Sequence, residues 1–456
     1  MTGPAELKRA LERRYADRSR PIGFYPLPEQ RVGGDEFASL YRPVPELGSR
    51  TGLLYIHVPF CTQRCSFCRF FSGTHGDEKA EVYVSSALAQ VERWAALRRQ
   101  DEAAGPIEAI FIGGGSPSSL SARQLGRLLD GVQDRLPFSP RFEITVEWYP
   151  ADQDPDRFET ALRCGVNRFS FGVQSFDDEI LRAMGSRHSA ADALLMAGRA
   201  AATAEVKFNI DLMANVPGQR LDSHVDDIEI AVSTGAHNIS LNPLELTPGT
   251  PLAAQAATIG FDEIDMEKRR WLEVTRHLLL EKGFAHQRAR NFVRPEARHR
   301  YNAATTGVSY DIVPVGPGAY GFVGGWAVHV EPNLAQWHRL VAEGSVGVSA
   351  TCIPSTDELK RSFLVTSLLE LEFDRQGYTS VFGSDPLQDF PPLASLASLG
   401  ALTTVGDMLR LEDPAVLYAD DISSELYSPG QRESFASHLT TNRREGTTQY
   451  FPVARA

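Results

Sequence analysis

Cysteine is scarce in this chain, with five residues in 456. A small, odd number excludes the disulfide framework of a secreted domain. Long apolar runs are missing too, and no stretch approaches the ~18–20 residues that a bilayer span requires. The opening segment, MTGPAELKRALERRYADRSR, is charged and helix-prone and lacks the apolar centre of a signal peptide. The expectation is a reducing, cytoplasmic setting with no membrane. Positive charge is also in short supply: 46 Lys and Arg stand against 58 Asp and Glu, a net charge of −12. That balance argues against a nucleic-acid surface. What remains is a globular composition, 42% hydrophobic and 23% charged, with length for one large domain and a smaller one.

Against this scarcity, Cys61, Cys65 and Cys68 fall within eight residues, CTQRCSFC. A disulfide would leave one thiol over, in a compartment that reduces it. A structural zinc site wants four ligands, usually as two pairs, and no second pair is present. An electron-transfer iron–sulfur cluster normally takes four thiolates. Three thiolates suit a cluster with one iron left open for another ligand.

Apolar, β-branched-rich runs at 53–58, 108–113, 142–147, 167–172, 206–212 and 237–242 alternate with helical patterns. Val84, Leu88, Val91 and Ala95 share one face of the first helix. Ser121, Asp154 and Ser223 stand where N-caps are expected, and Pro155 suits a first helical position. Six strands alternating with helices predict a parallel sheet, curled into an incomplete (β/α)6 barrel. Chemistry then belongs at the C-terminal ends of the strands, where the cysteine loop lies directly after the first. The second strand is followed by Gly113, Gly114 and Gly115, which read either as a tight turn or as a close backbone approach to a ligand. Glu147, Gln174, Asp211 and Glu245 follow or close the next four. Singly, each reads as a cap or loop anchor; together, facing the cysteines, they read as a site.

YIHVPFCTQRCSFC, FIGGGSPSSL, GVNRFSFGVQSFDDEIL, NIDLMANVPGQ and LTPGTPL together resemble the radical S-adenosylmethionine (SAM) enzymes of the oxygen-independent coproporphyrinogen oxidase-like family. The likeness covers about residues 52–425. It implies a [4Fe–4S] cluster on Cys61, Cys65 and Cys68, with SAM on the open iron and a 5′-deoxyadenosyl radical formed on reduction. It also implies a second SAM. Tyr55, Gly115, Glu147 and Glu245 align with positions for the first cofactor, although the enzyme that names the family has a small residue at Glu245. Phe67, Ser116, Pro117, Gln174, Arg187, Asp211 and Tyr320 align with positions for the second. The segment MGSRHS carries one residue, Ser186, beyond the usual spacing before Arg187. Cys164 and Cys352 lie away from the motif and read as inert thiols.

The resemblance sets a radical SAM core over 51–349, after an extension over 1–50. A small, mainly helical, winged-helix-like C-terminal domain follows over 350–428, and a polar tail over 429–456. Cys68 is followed by Arg69, Phe70 and Phe71 where the decarboxylating oxidase has a further nearby cysteine. The reading adopted from this is C-methylation or cyclopropanation of a natural-product intermediate by two SAM molecules. The alternatives are haem ring opening, coproporphyrinogen decarboxylation and haem chaperoning. The implied partners are a small-molecule substrate, a flavodoxin- or ferredoxin-like electron donor and a partner methyltransferase. In HQRARNFVRPEARHRY (286–301), Arg288 and Arg290 read as an anion site for substrate or as part of a solvated loop.

Overall fold

A computed structural model describes residues 3–435 apart from 17–24, 34–35, 63, 69–72, 74–75, 248, 262–264 and 353. Arg69, Phe70, Phe71 and most of the polar tail therefore lie outside the described residues.

Six strands run parallel in sequential order: β1 (Arg50–Val58), β2 (Ala104–Gly114), β3 (Phe138–Trp148), β4 (Arg168–Gln174), β5 (Lys207–Ala214) and β6 (Asn238–Pro243). Helices cover the sheet, so the strands read as nearly continuous apolar runs. The hairpin β7 (Ala285–Arg288) and β8 (Asn291–Val293) joins beyond β6. On the other side β9 (Tyr310–Val315) lies parallel to β1, a seventh parallel strand beyond the six read from the sequence. β10 (Tyr320–Val323), β11 (Trp326–Val330), β12 (Val348–Cys352) and the pair Gln30–Arg31 continue that edge antiparallel.

Between β1 and β2 runs helix α1 (Asp77–Arg98), which buries Val84, Leu88, Val91 and Ala95. Ser121 caps α2 (Ala122–Gln133) in a reciprocal capping box with Gln124, and Asp154 caps α3 (Pro155–Arg163), with Pro155 at its first turn. Ser223 does not cap. Helix α4 (Leu221–Ser233) begins two residues earlier, and the Ser223 hydroxyl accepts the Arg220 N–H from inside the first turn.

A buried ion network ties β1 to β9. Asp311 takes Arg50 at 2.9 Å and Arg98 at 2.7 Å, and it also accepts the Gly324 N–H. With both carboxylate oxygens occupied, this charge is tolerated in the interior.

After β12, helix α5 (Thr356–Leu369) opens a C-terminal unit. It holds a three-stranded antiparallel sheet, β13 (Glu372–Asp374), β14 (Leu402–Val405) and β15 (Met408–Leu411), and several further short helices. β12 pairs in the large sheet, and α5 begins a few residues beyond it at Thr356. One hydrophobic core runs continuously from Leu7 to Phe435, through barrel and C-terminal unit alike.

Candidate active site

A cavity of about 200 Å³ opens at the C-terminal ends of β1–β5. Cys61, Cys65 and Cys68 line it on the loop after β1. Among the described residues, no three His, Cys, Asp or Glu side chains pack closely enough to ligate a single ion. The three thiols share that one cavity. Burial pushes the Cys61 thiol up to about 12 and Cys65 to about 11, so an electrophilic metal is needed to draw their protons off.

The loop is held at two points. The Ser116 N–H donates to the Phe60 carbonyl at 2.7 Å, and the Gly115 N–H to that of Val58 at 2.8 Å. Further on, Ser66 donates its N–H and hydroxyl to the Met184 carbonyl and accepts the Leu252 N–H. The glycine run exists for this approach. A Cβ on Gly115 would lie 2.4 Å from the Phe60 carbonyl oxygen, and one on Gly114, at φ +104°, 2.6 Å from the His57 ring. On Gly113 it would meet the Glu147 carboxylate.

Two carboxylates face the same space. Glu147, closing β3, accepts the Gly114 N–H at 3.1 Å; burial and the neighbouring Asp211 push it up to about 8. Asp211 on β5 is raised by burial, partly offset by Ser170 (2.9 Å) and Asn209 (3.0 Å). A polar chain extends outward from it. Asn209 donates to Ser170, Ser240 to Asn209 and Asn291 to Ser240, at 2.7–2.9 Å. Two half-buried acids, with no Lys or Arg among the described residues lining the cavity, suit a cationic ligand such as a sulfonium with its ammonium.

The aligned positions divide. Phe67, Gly115, Ser116, Glu147, Gln174 and Asp211 line the cavity. Gln174 does so from a left-handed backbone (φ 68°), a strained conformation that recurs at functional sites. Pro117 lies buried just behind, opening a 3-10 turn. Tyr55 sits deeper in the barrel, its hydroxyl 3.2 Å from His57 Nδ1. Tyr320 stacks on His329 beyond β1, at 4.1 Å between ring centroids. Arg187 is exposed and outside the lining, where Ser186 and His188 stand instead. Glu245 is paired with Arg290.

Three arginines of the basic stretch are committed structurally. Arg290 bridges Glu245 (3.4 Å) and Asp420 (2.8 Å), and Arg288 holds Glu370 at 2.6 Å. Arg294 stacks on Phe284. Arg288 and Arg290 therefore fasten the C-terminal unit to the barrel. Thr62, Trp148, Tyr149, Ser170 and Gly172 also line the cavity and were not read from the sequence as site residues. A signal existed for Ser170: RFSFG, KFNID and NISLN each set a small polar residue into a buried apolar strand.

The Radical SAM superfamily model matches residues 55–229. The chain is 33% identical over 273 residues to the heme chaperone HemW of Escherichia coli (strain K12), covering 59% of this chain and 70% of that protein. It belongs to the coproporphyrinogen oxidase-like family of radical SAM proteins. As a member of that family it uses a [4Fe–4S] cluster and SAM. The anaerobilin synthase of Escherichia coli O157:H7 is 29% identical over 297 residues, 65% of this chain and 66% of the relative. The solved coproporphyrinogen III oxidase (HemN) from Escherichia coli shares the fold, with a TM-score of 0.76 at 20% identity over 91% of this chain and 98% of that one. Relatives named for haem and anaerobilin overturn the expectation of a natural-product methyltransferase or cyclopropanase. No helix among the described residues is long and apolar enough to cross a membrane.

Proposed function

We propose that this radical SAM protein acts on a haem-type tetrapyrrole presented at the mouth of the barrel. The observation that carries the reading is that a haem chaperone and an anaerobilin synthase are both relatives over more than half of this chain. Cys61, Cys65 and Cys68 would hold the cluster, and Glu147 would meet the cationic end of SAM. When bound, cluster and cofactor supply a radical able to abstract hydrogen. The chain's own part is to orient and to exclude water. Glu147 and Asp211 fix charge on one wall, Trp148 and Phe67 give apolar surface, and the anchored cysteine loop closes the top. The second SAM implied by the resemblance belongs to this proposal and is tested by counting cofactor per cluster in equilibrium dialysis. An external electron donor of flavodoxin or ferredoxin type is proposed likewise.

The deciding experiment is anaerobic incubation of the reconstituted protein with reductant, SAM and either haem or coproporphyrinogen. The expected result is tetrapyrrole-dependent 5′-deoxyadenosine and a changed tetrapyrrole absorption spectrum. Haem bound tightly with no SAM turnover would favour a carrier, the reading supported by the relative named as a chaperone. Neither binding nor turnover would remove the tetrapyrrole reading.

A further inference from the structure

The segment 184–189, MGSRHS, presents Ser186 and His188 to the cavity and turns Arg187 outward. Tyr149 holds that register. Its hydroxyl accepts the Arg187 N–H at 2.8 Å and the His188 N–H at 3.2 Å, and lies 3.2 Å from Ser186 Oγ. The ring packs edge-on to His188 at 5.3 Å. His188 is fixed at both nitrogens, Nε2 to the Val173 carbonyl at 2.9 Å and Nδ1 to Ser186 Oγ at 2.8 Å. With Nε2 donating, Nδ1 is left to accept from the serine. Tyr149 stands two residues beyond Glu147, on the loop after β3, whereas Ser186 and His188 follow β4. One phenol thus fastens two strand-end loops across the cavity.

We propose that Tyr149 is a positioning residue for SAM. Its hydroxyl latch sets Ser186 and His188, instead of the Arg187 guanidinium, into the cavity wall. Among the described residues lining the cavity there is no Lys or Arg. The hydrogens on this side are spent within the latch, so what it offers the cofactor is a fixed surface, made of the Tyr149 ring and the imidazole packed edge-on to it. The inference rests on the assignment of this cavity to SAM.

The test compares Tyr149→Phe, which keeps the ring and removes the acceptor, with Arg187→Ala, which removes an exposed side chain. Hydrogen exchange at the Arg187 and His188 amides should quicken about tenfold or more in Tyr149→Phe, because both lose their acceptor. Equilibrium dialysis should show SAM held roughly 5- to 20-fold more weakly, with iron content unchanged. Arg187→Ala should bind SAM as the wild type does. Unchanged SAM affinity in Tyr149→Phe would overturn the proposal, as would equal weakening in Arg187→Ala. Should Tyr149→Phe fail to take up iron, Ser186→Ala carries the same affinity test without touching the tyrosine. Absence of SAM binding to the wild-type holoprotein would instead overturn the cofactor assignment on which the latch rests.

Discussion

Glu147 reaches the cavity with the Gly114 N–H as donor and Asp211 as neighbour, and burial raises its carboxyl from the ordinary 4.5 to about 8. Between those values the folded chain binds a proton that the unfolded chain does not, so stability falls as pH rises through the window. A cationic ligand binds the ionised form and expels that proton. SAM affinity should therefore rise from pH 6.5 to 8.5, by up to about tenfold per unit while Glu147 remains protonated in the free protein. In Glu147→Gln the slope should vanish, and affinity should fall roughly 10- to 100-fold. The ligand-free variant should gain about 1–3 kcal/mol in urea unfolding at pH 8.5, where the wild type carries the buried charge. A flat pH profile in the wild type would show that another group meets the cation. At the cysteines the contrast is categorical. Cys61→Ala, Cys65→Ala and Cys68→Ala should each lose the cluster, about four iron per chain by assay. Cys164→Ala and Cys352→Ala should keep it, since those thiols stand outside the cavity.

The glycines at the end of β2 act at the scale of the element, because they let the β1 and β2 loops touch. Gly114→Ala places a methyl into the His57 ring from a backbone at φ +104°, and it should cost about 2–4 kcal/mol in denaturant unfolding with poor cluster uptake. Gly198→Ala, on a helix with open space around it, should be neutral or slightly stabilising. The same elements show what the sequence made legible. The six parallel strands, the Ser121 and Asp154 caps and the cysteine loop after the first strand follow from local pattern and stand in the structure. The seventh parallel strand, β9, was not read, since Tyr310–Val315 reaches β1 only across about 250 residues and no local period reveals such a partner. Ser223 misled because a serine three positions into a helix can bond back to the same turn as a cap would. The family resemblance puts Arg187 in the site by its place in the sequence, whereas whether its side chain points in or out is set by the loop's own hydrogen bonds to Tyr149.

Long-range fastening dominates at the scale of the whole molecule. The N-terminal helix Pro4–Arg14 leads to Arg14 and Tyr15, both bound to Glu425, and Tyr25 bonds Glu358. Arg269 meets Asp421, while Arg288 and Arg290 reach Glu370 and Asp420. These contacts draw the extension, the β7–β8 hairpin and the C-terminal unit into one body, and Arg290 meets two carboxylates at once. Neighbouring Asp420 and Glu245 together hold its charge against burial. Arg290→Met should leave those carboxylates facing one another, costing about 3–5 kcal/mol in urea unfolding. A double variant with Glu245→Gln should recover part of that loss, because the repulsion left behind has one partner fewer. Tetrapyrrole affinity, measured by absorption titration in the folded range, should stay within about twofold of the wild type. Were Arg290 an anion anchor, the order would reverse: affinity would collapse with little change in unfolding, and neutralising Glu245 would restore nothing.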